Sequence, residues 1–400
     1  MKLLLLGAGA SKAYSQSPTG VRMPIARDFF PTFEKLDIYE NPWVLRDGLI
    51  DFIVRVKGEN PDAYLRSNID IEDLYSEIEA NLHESYGKER DDRIRAFKPY
   101  TELTFIFSAV LNEIQNGPLS EPHVELAKRL NAEDLVVTFN WDTLMDRAMN
   151  AECNWSADFG YGFIPKRIHR GKWCAPEVEH NQTTTKILKL HGSTNWLSSH
   201  PINAEAEYEL MQEAAPDTVW VYESASQPYA CYAGRYMDGH QDFSYGYYPP
   251  NILDDPGRKA PDGHVIIRAR PKLPWVPQGE APDDGLVSIP LIIPPVRQKN
   301  YTAFGALFDE LWKSAAEGIR KARHIIIIGY SFPKTDTRSD ELFISAFSKR
   351  NDIPYVTVLN PEPDESLHKL RMHYGIPDDH IKVFRDCLTE ETDIDQLFSI

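Results

Sequence analysis

Asp134-Leu-Val-Val-Thr-Phe-Asn140-Trp-Asp142 begins as a run of apolar, β-branched residues and ends abruptly in polar ones. Bounded by Asn131, which closes the preceding helix, and by a polar cluster, so short a run reads as a strand buried on both faces of a parallel sheet. In an open parallel sheet, ligands bind just past the carboxyl ends of the strands. Thr138, Asn140 and Asp142 then stand at a ligand crevice. The same residues also suit an ordinary strand-end turn, because Asn and Asp hydrogen-bond their own backbone. The stretch alone leaves both readings open.

Upstream, Lys2-Leu-Leu-Leu-Leu6 runs into Gly7-Ala-Gly9-Ala-Ser11, a buried strand entering a tight glycine turn. Such a turn lets backbone N–H groups approach a phosphate, and a following helix adds its positive end. The full G-x-G-x-x-G fingerprint is absent, because Lys12 occupies the third glycine position. From about Ala26 to Asn131 the pattern is mainly helical. Ile71, Leu74, Tyr75, Ile78 and Leu82 share one face behind the cap residue Asp70, and Leu103, Ile106, Phe107, Val110 and Ile114 share another before Gly117-Pro118. Val124 to Leu130 predicts a short helix leading into the next strand. So much helix between two strands exceeds a minimal crossover and points to an inserted helical module.

Downstream, Lys186-Ile-Leu-Lys-Leu190 alternates like a strand and meets His191-Gly192-Ser193, where the imidazole could face an open pocket. Residues 198–290 are irregular and rich in Pro, Tyr and Gly, with an aromatic run from Tyr229 to Tyr248. They read as an insertion of short strands and loops: a lid, an oligomer contact or decoration. Regular pattern returns at Leu291-Ile-Ile-Pro-Pro295. Phe304, Leu307, Phe308, Leu311, Trp312, Ala315 and Ile319 predict a helix, His324–Ile328 a central strand ending in Gly329-Tyr330-Ser331, and 340–347 a further helix. Tyr355–Leu359 predicts a strand ending at Asn360, and Ile381–Phe384 a last one. Five strands thus end in polar or glycine-rich signals, and a parallel sheet brings such ends to one rim, where a doubly wound fold holds a dinucleotide.

The chain has 400 residues and a net charge of −17, with no basic run or stripe, which argues against a nucleic-acid-binding surface. Its four cysteines, Cys153, Cys174, Cys231 and Cys387, form no C-x-x-C pair and read as reduced thiols, with no metal centre expected. The apolar run Leu3–Leu6 is too short for a signal peptide and no stretch is long enough to span a bilayer, so a cytoplasmic location without membrane contact is expected.

Gly7-Ala-Gly-Ala-Ser11, Thr138-Phe-Asn-Trp-Asp142, Leu190-His-Gly192 and Gly329-Tyr-Ser331 resemble, in this order, the signature of sirtuin-like domains. Asp70-Ile-Glu72, Ile293-Pro-Pro295 and Gly329-Tyr-Ser-Phe-Pro-Lys-Thr-Asp336 are more similar to the bacterial branch, in which such domains act as NAD hydrolases in antiviral defence. The resemblance runs from Leu3 to Asn360, with little contribution from 198–290. It implies one domain over 1–400, α/β in class: a Rossmann-like parallel sheet with a helical insertion at about 26–131 and an irregular one at about 198–290. It implies NAD as substrate, Asn140 and His191 as catalytic residues, and Asp142 on the nicotinamide carboxamide. Gly7, Ala8, Gly9 and Ser11 would take the phosphates. Thr138 and Gly329 belong to the same binding set, with Ser331 and Asn360 toward the phosphate–ribose side and adenosine ribose.

Deacylating sirtuins carry a zinc module with two C-x-x-C pairs, and this chain has none, which disfavours deacylation and leaves water as the direct nucleophile. The alternatives are a sensor that binds NAD or ADP-ribose without turnover, and a protein deacylase or ADP-ribosyltransferase. A toxic hydrolase without a sensor domain needs restraint, so a homo-oligomer is expected, or a partner such as a HerA-type ATPase or a short Argonaute protein.

Overall fold

The structure is a computed structural model and describes residues 1–39, 46–67, 69–170, 173–178, 183–199, 219–223, 288–293, 306–332 and 337–400. Its strands are, in chain order, β1 (Lys2–Leu6), β2 (Leu135–Thr138), β3 (Arg167–His169), β4 (Trp173–Cys174), β5 (Lys186–Lys189), β6 (Gly192–Ser199), β7 (Val219–Tyr222), β8 (Ser288–Ile292), β9 (His324–Ile328), β10 (Tyr355–Leu359) and β11 (Ile381–Phe384). Six of them form a wholly parallel sheet in the order β11-β10-β9-β1-β2-β5. Counted along the chain within that sheet, the order is the Rossmann one, and it reverses direction between β1 and β9. Leu3 to Leu6 and Ile325 to Ile328 are buried, as strands covered by helices on both faces must be.

The chain between β1 and β2 folds into a helical module with its own apolar core, built around Phe29, Phe52, Leu74, Tyr75, Leu103 and Phe107. The helix Ile71–Ser85 starts where expected, with Asp70 Oδ1 accepting from Glu72 N at 2.9 Å, a cap that contributes about 1 kcal/mol. Its neighbour runs from Arg90 to Gln115, longer than its apolar stripe suggested. It continues through Pro99 because packing against Ile71–Ser85 and Asp47–Phe52 outweighs one lost backbone hydrogen bond. The short helix before β2 spans Glu121–Ala127, and the helix before β9 spans Ala306–Lys321 with Leu307, Phe308, Leu311, Trp312, Ala315 and Ile319 buried.

A second sheet, ordered β4-β3-β7-β6-β8, packs beside the first. It takes in both described ends of the 198–290 stretch, while Tyr229–Tyr248 and the role suggested for it lie outside the described residues. Pro294, Pro295 and residues 333–336 of the motifs also lie outside them. No helix among the described residues is long and apolar enough to cross a membrane.

Candidate functional site at the strand-order reversal

The reversal between β1 and β9 leaves their outgoing loops side by side, and glycine makes the approach possible. A Cβ on Gly9 would lie 2.7 Å from Gly329 Cα, and one on Gly329, at φ +62°, would lie 2.4 Å from Ala10 N. Gly7 N donates to Ile328 O and Gly9 N to Gly329 O, each at 3.0 Å. The two glycine amides expected to cradle a phosphate are therefore turned to protein carbonyls. Ala8 is the exposed residue of this turn.

Beside it, the end of β2 is joined to the glycine turn by a chain of polar side chains. Asn140 Nδ2 donates to Gly7 O and to Ser11 Oγ, both at 2.8 Å. Ser11 Oγ in turn donates a hydrogen bond to Asp142 Oδ2 at 2.5 Å. Asp142 Oδ1 accepts from Leu144 N at 3.0 Å, placing a carboxylate at the start of the helix Leu144–Glu152, where the dipole favours it. Thr138 Oγ1 accepts from Asn140 N at 3.0 Å and donates to Leu6 O at 3.2 Å. Because Gly7 O can only accept, the Asn140 amide is fixed in one orientation. Both amide hydrogens are engaged, Asn140 as a residue is half-buried, and among the described residues no hydrogen bond is made to its Oδ1.

β5 ends at Lys189, and the chain turns at His191 straight into β6 of the second sheet. Gly192 has φ +78° and lies so close to the neighbouring strand that a Cβ would sit 2.1 Å from Leu291 O, so this turn requires glycine. The His191 ring lies 5.1 Å from Phe139, 5.6 Å from Trp141 and 6.4 Å from Trp312, centroid to centroid. It therefore packs against both residues that flank Asn140. At 3% exposure it is enclosed by aromatic rings rather than facing an open pocket.

Two supporting residues escape a sequence reading. Lys186–Lys189 reads as an alternating, half-exposed strand, yet Lys189 is 1% exposed: its Nζ donates to Asp142 O and pairs with Asp146 Oδ2 at 3.3 Å. Asp146, whose pKa burial raises against the pull of Lys189, also accepts from Tyr161 Oη at 2.6 Å. His123, on the helix before β2, bonds Ser120 Oγ through Nδ1 at 2.7 Å. Burial pushes its pKa down to about 4, with the nearby Asp142 carboxylate opposing. The legible signal was a lysine inside an apolar run two residues before His191; a buried lysine needs an anionic partner. Nothing in the sequence marked His123.

On the other half of the rim, Gly329-Tyr330-Ser331-Phe332 leaves β9 with Phe332 also left-handed, at φ +52°. Its carbonyls are held by the helix Asp364–Met372: Ser366 Oγ donates to Tyr330 O at 3.2 Å and Lys369 Nζ to Phe332 O at 2.9 Å. Ser331 is exposed. Asn360, at the end of β10, is 8% exposed, and its Oδ1 accepts from Glu362 N at 2.9 Å.

The parallel sheet thus brings Gly7, Ala8, Gly9, Ser11, Thr138, Asn140, Asp142 and Gly329 into contact with one another or with shared partners, and sets His191 against the Asn140 loop. Ser331 shares the rim. Asn360 stands three strands from β2, about 14 Å along the sheet at the usual strand spacing.

No protein-family model matches this sequence, and no curated protein matches it. Among solved structures, one described as Sir2Tm bound to a propionylated peptide aligns at 12% identity, covering 97% of this chain and 88% of that one, with a TM-score of 0.32. A Sir2–p53 peptide–NAD+ complex aligns at 11% identity over 99% of this chain and 89% of that one, with a TM-score of 0.31. At those scores and identities the alignments carry no weight in assigning fold or function, which rest on the sheet order and the side-chain geometry above.

Proposed function

We propose that this chain is an NAD hydrolase that cleaves the nicotinamide–ribose bond to give nicotinamide and ADP-ribose. The observation that carries the reading is the Asn140 amide, held at the strand-order reversal with its nitrogen engaged and its Oδ1 at the rim. An acceptor there suits a ribose hydroxyl or an attacking water, both of which offer O–H groups.

In the reaction, water oxygen bonds the anomeric carbon as the C–N bond breaks. The electron pair returns to the pyridinium nitrogen, and neutral nicotinamide leaves. Positive charge builds on the sugar in the transition state. Asn140 orients the oxygen nucleophile, Asp142 and Ser11 fix Asn140, and His191 takes the proton the water gives up. Beyond the chemistry, the motif resemblance supports a role as an anti-phage effector, restrained by self-association or by a partner such as a HerA-type ATPase or a short Argonaute protein.

Enclosure of His191 by three aromatic rings favours a second reading, a sensor that binds NAD without turnover. Incubation of the purified chain with NAD, followed by chromatography of the products, separates the two. The hydrolase yields nicotinamide and ADP-ribose in equal amounts, and His191→Ala slows this by about 10²–10⁴-fold. NAD-dependent stabilisation with no product, equal in wild type and His191→Ala, would establish the sensor instead.

A further inference from the structure

The long helix of the inserted module ends at Gln115, whose side chain is fully buried and bonded to both site loops. Its Oε1 accepts from Thr143 N at 2.8 Å, three residues after Asn140. Its Nε2 donates to Thr194 Oγ1 at 3.2 Å, three residues after His191, and to Asn112 Oδ1 at 2.9 Å on its own helix. Thr194 in turn bonds Trp141 O through its N–H at 2.9 Å, which closes a ring between the two loops. The main chain is gripped as well, with Arg147 Nη1 donating to Gln115 O at 2.6 Å. Trp141 completes the junction by packing edge-on against Phe107 of the same helix, centroids 5.0 Å apart.

The residues around Asn140 thus anchor in different bodies. Phe139 belongs to the core under the parallel sheet and Trp141 packs on the core of the helical module. Asn140 sits at the seam, so its position depends on how the two bodies are registered. A buried amide with both ends satisfied is a directional tie, whereas apolar packing alone would tolerate sliding.

We propose that Gln115 is a positioning residue of the site: it ties the helical module to both loops and sets the distance between Asn140 and His191. The inference rests on the hydrolase reading for its kinetic readout and on NAD binding for an independent one. Movement of the module, for instance on self-association, would then reach the chemistry through this side chain together with the Trp141–Phe107 contact.

A double-mutant cycle of Gln115→Met and Thr194→Val tests this, with both substitutions preserving approximate volume. Each variant is measured for thermal melting, for kcat and KM of nicotinamide release, and for NAD affinity by calorimetry. For a folded Gln115→Met the expected result is a kcat lower by about 10–100-fold, the scale of loss for a misplacement near 1 Å, with KM changed by less than about threefold. Thr194→Val should lose less, and the double variant should be no worse than Gln115→Met, since both cut the same tie. A kcat within about twofold of wild type, or losses that multiply, would overturn the proposal. If Gln115→Met does not fold, Thr194→Val decides alone: a kcat loss with unchanged KM supports the tie, and wild-type kinetics overturns it. If wild type binds NAD but releases no nicotinamide, the hydrolase reading fails by itself, and the cycle is judged on affinity: a shared, non-additive loss supports the tie and an unchanged affinity overturns it. If wild type neither turns over nor binds NAD, both ideas fall.

Discussion

Two lysines hold the two halves of the rim, and they do so in different surroundings. Lys189 donates to Asp142 O in the loop after β2 and pairs with Asp146, both partners 1% exposed at their side chains. Lys369 donates to Phe332 O in the loop after β9 and pairs with Asp340 at 2.8 Å, but Asp340 keeps 28% of its side chain exposed. Each cation neutralises an outgoing loop's carbonyl and an aspartate at once. The loops differ in what their side chains do. After β2 the polar side chains bond one another and leave the Asn140 acceptor at the rim, whereas after β10 Asn360 caps its own backbone. The first half carries the proposed chemistry.

The largest loss of stability is expected of Lys189→Met. Removing one partner of a buried pair strands the other charge, at a cost of about 3–5 kcal/mol, and it frees the Asp142 carbonyl. Adding Asp146→Asn should recover part of that stability, because the amide still bonds Tyr161. Lys369→Met should cost about 1–2 kcal/mol, since Asp340 can turn to water, and should leave kcat within a few-fold. Chemical denaturation of the three variants beside wild type checks the order, and equal losses at the two lysines would erase the distinction.

A smaller effect is expected in acid. His123 has its pKa lowered to about 4 from 6.5, so between those values the unfolded chain binds the proton that the folded chain refuses. Stability is therefore fully present above about pH 6.5 and is lost as pH falls toward 4, by on the order of 2 kcal/mol at pH 5. Glu79 and Glu102 in the helical module, raised to about 7 by burial, act in the opposite sense over the same range. The clean measurement is thus wild type against His123→Gln: their stability difference should shrink as pH falls from 7 to 5. A difference independent of pH would show that burial does not hold His123 neutral.

What the sequence disclosed follows from physics that acts locally. Leu3–Leu6, Leu135–Val137 and Ile325–Ile328 announce buried parallel strands because only helix-covered sheets bury such runs on both sides. Asp70 announced a helix start because its cap bond spans two residues. Strand order was not legible, since parallel neighbours share no turn to fix their pairing. The second sheet was hidden for a related reason: β3 is three residues long and pairs with β7 across more than forty intervening residues. Residues of the candidate site were legible where they sit just past strand ends, as Asn140, Asp142 and His191 do, or in the turn after one, as Ser11 does. Gln115 and His123 were not, because each reaches the site from a helix interior or helix start whose local pattern is ordinary. The direction of the Asn140 amide also needed the structure, because it depends on a carbonyl 133 positions away.

If the Asn140 acceptor works on the sugar and Asn360 only holds its own turn, alanine at the two positions must act differently. Single-turnover nicotinamide release by Asn140→Ala and Asn360→Ala, each shown to be folded by thermal melting, tests it most directly. The expected result is a loss of at least about 10²-fold for Asn140→Ala and a rate within a few-fold of wild type for Asn360→Ala, whose stability falls by about 1 kcal/mol. Equal rates in the two variants, whether both fast or both slow, would contradict it.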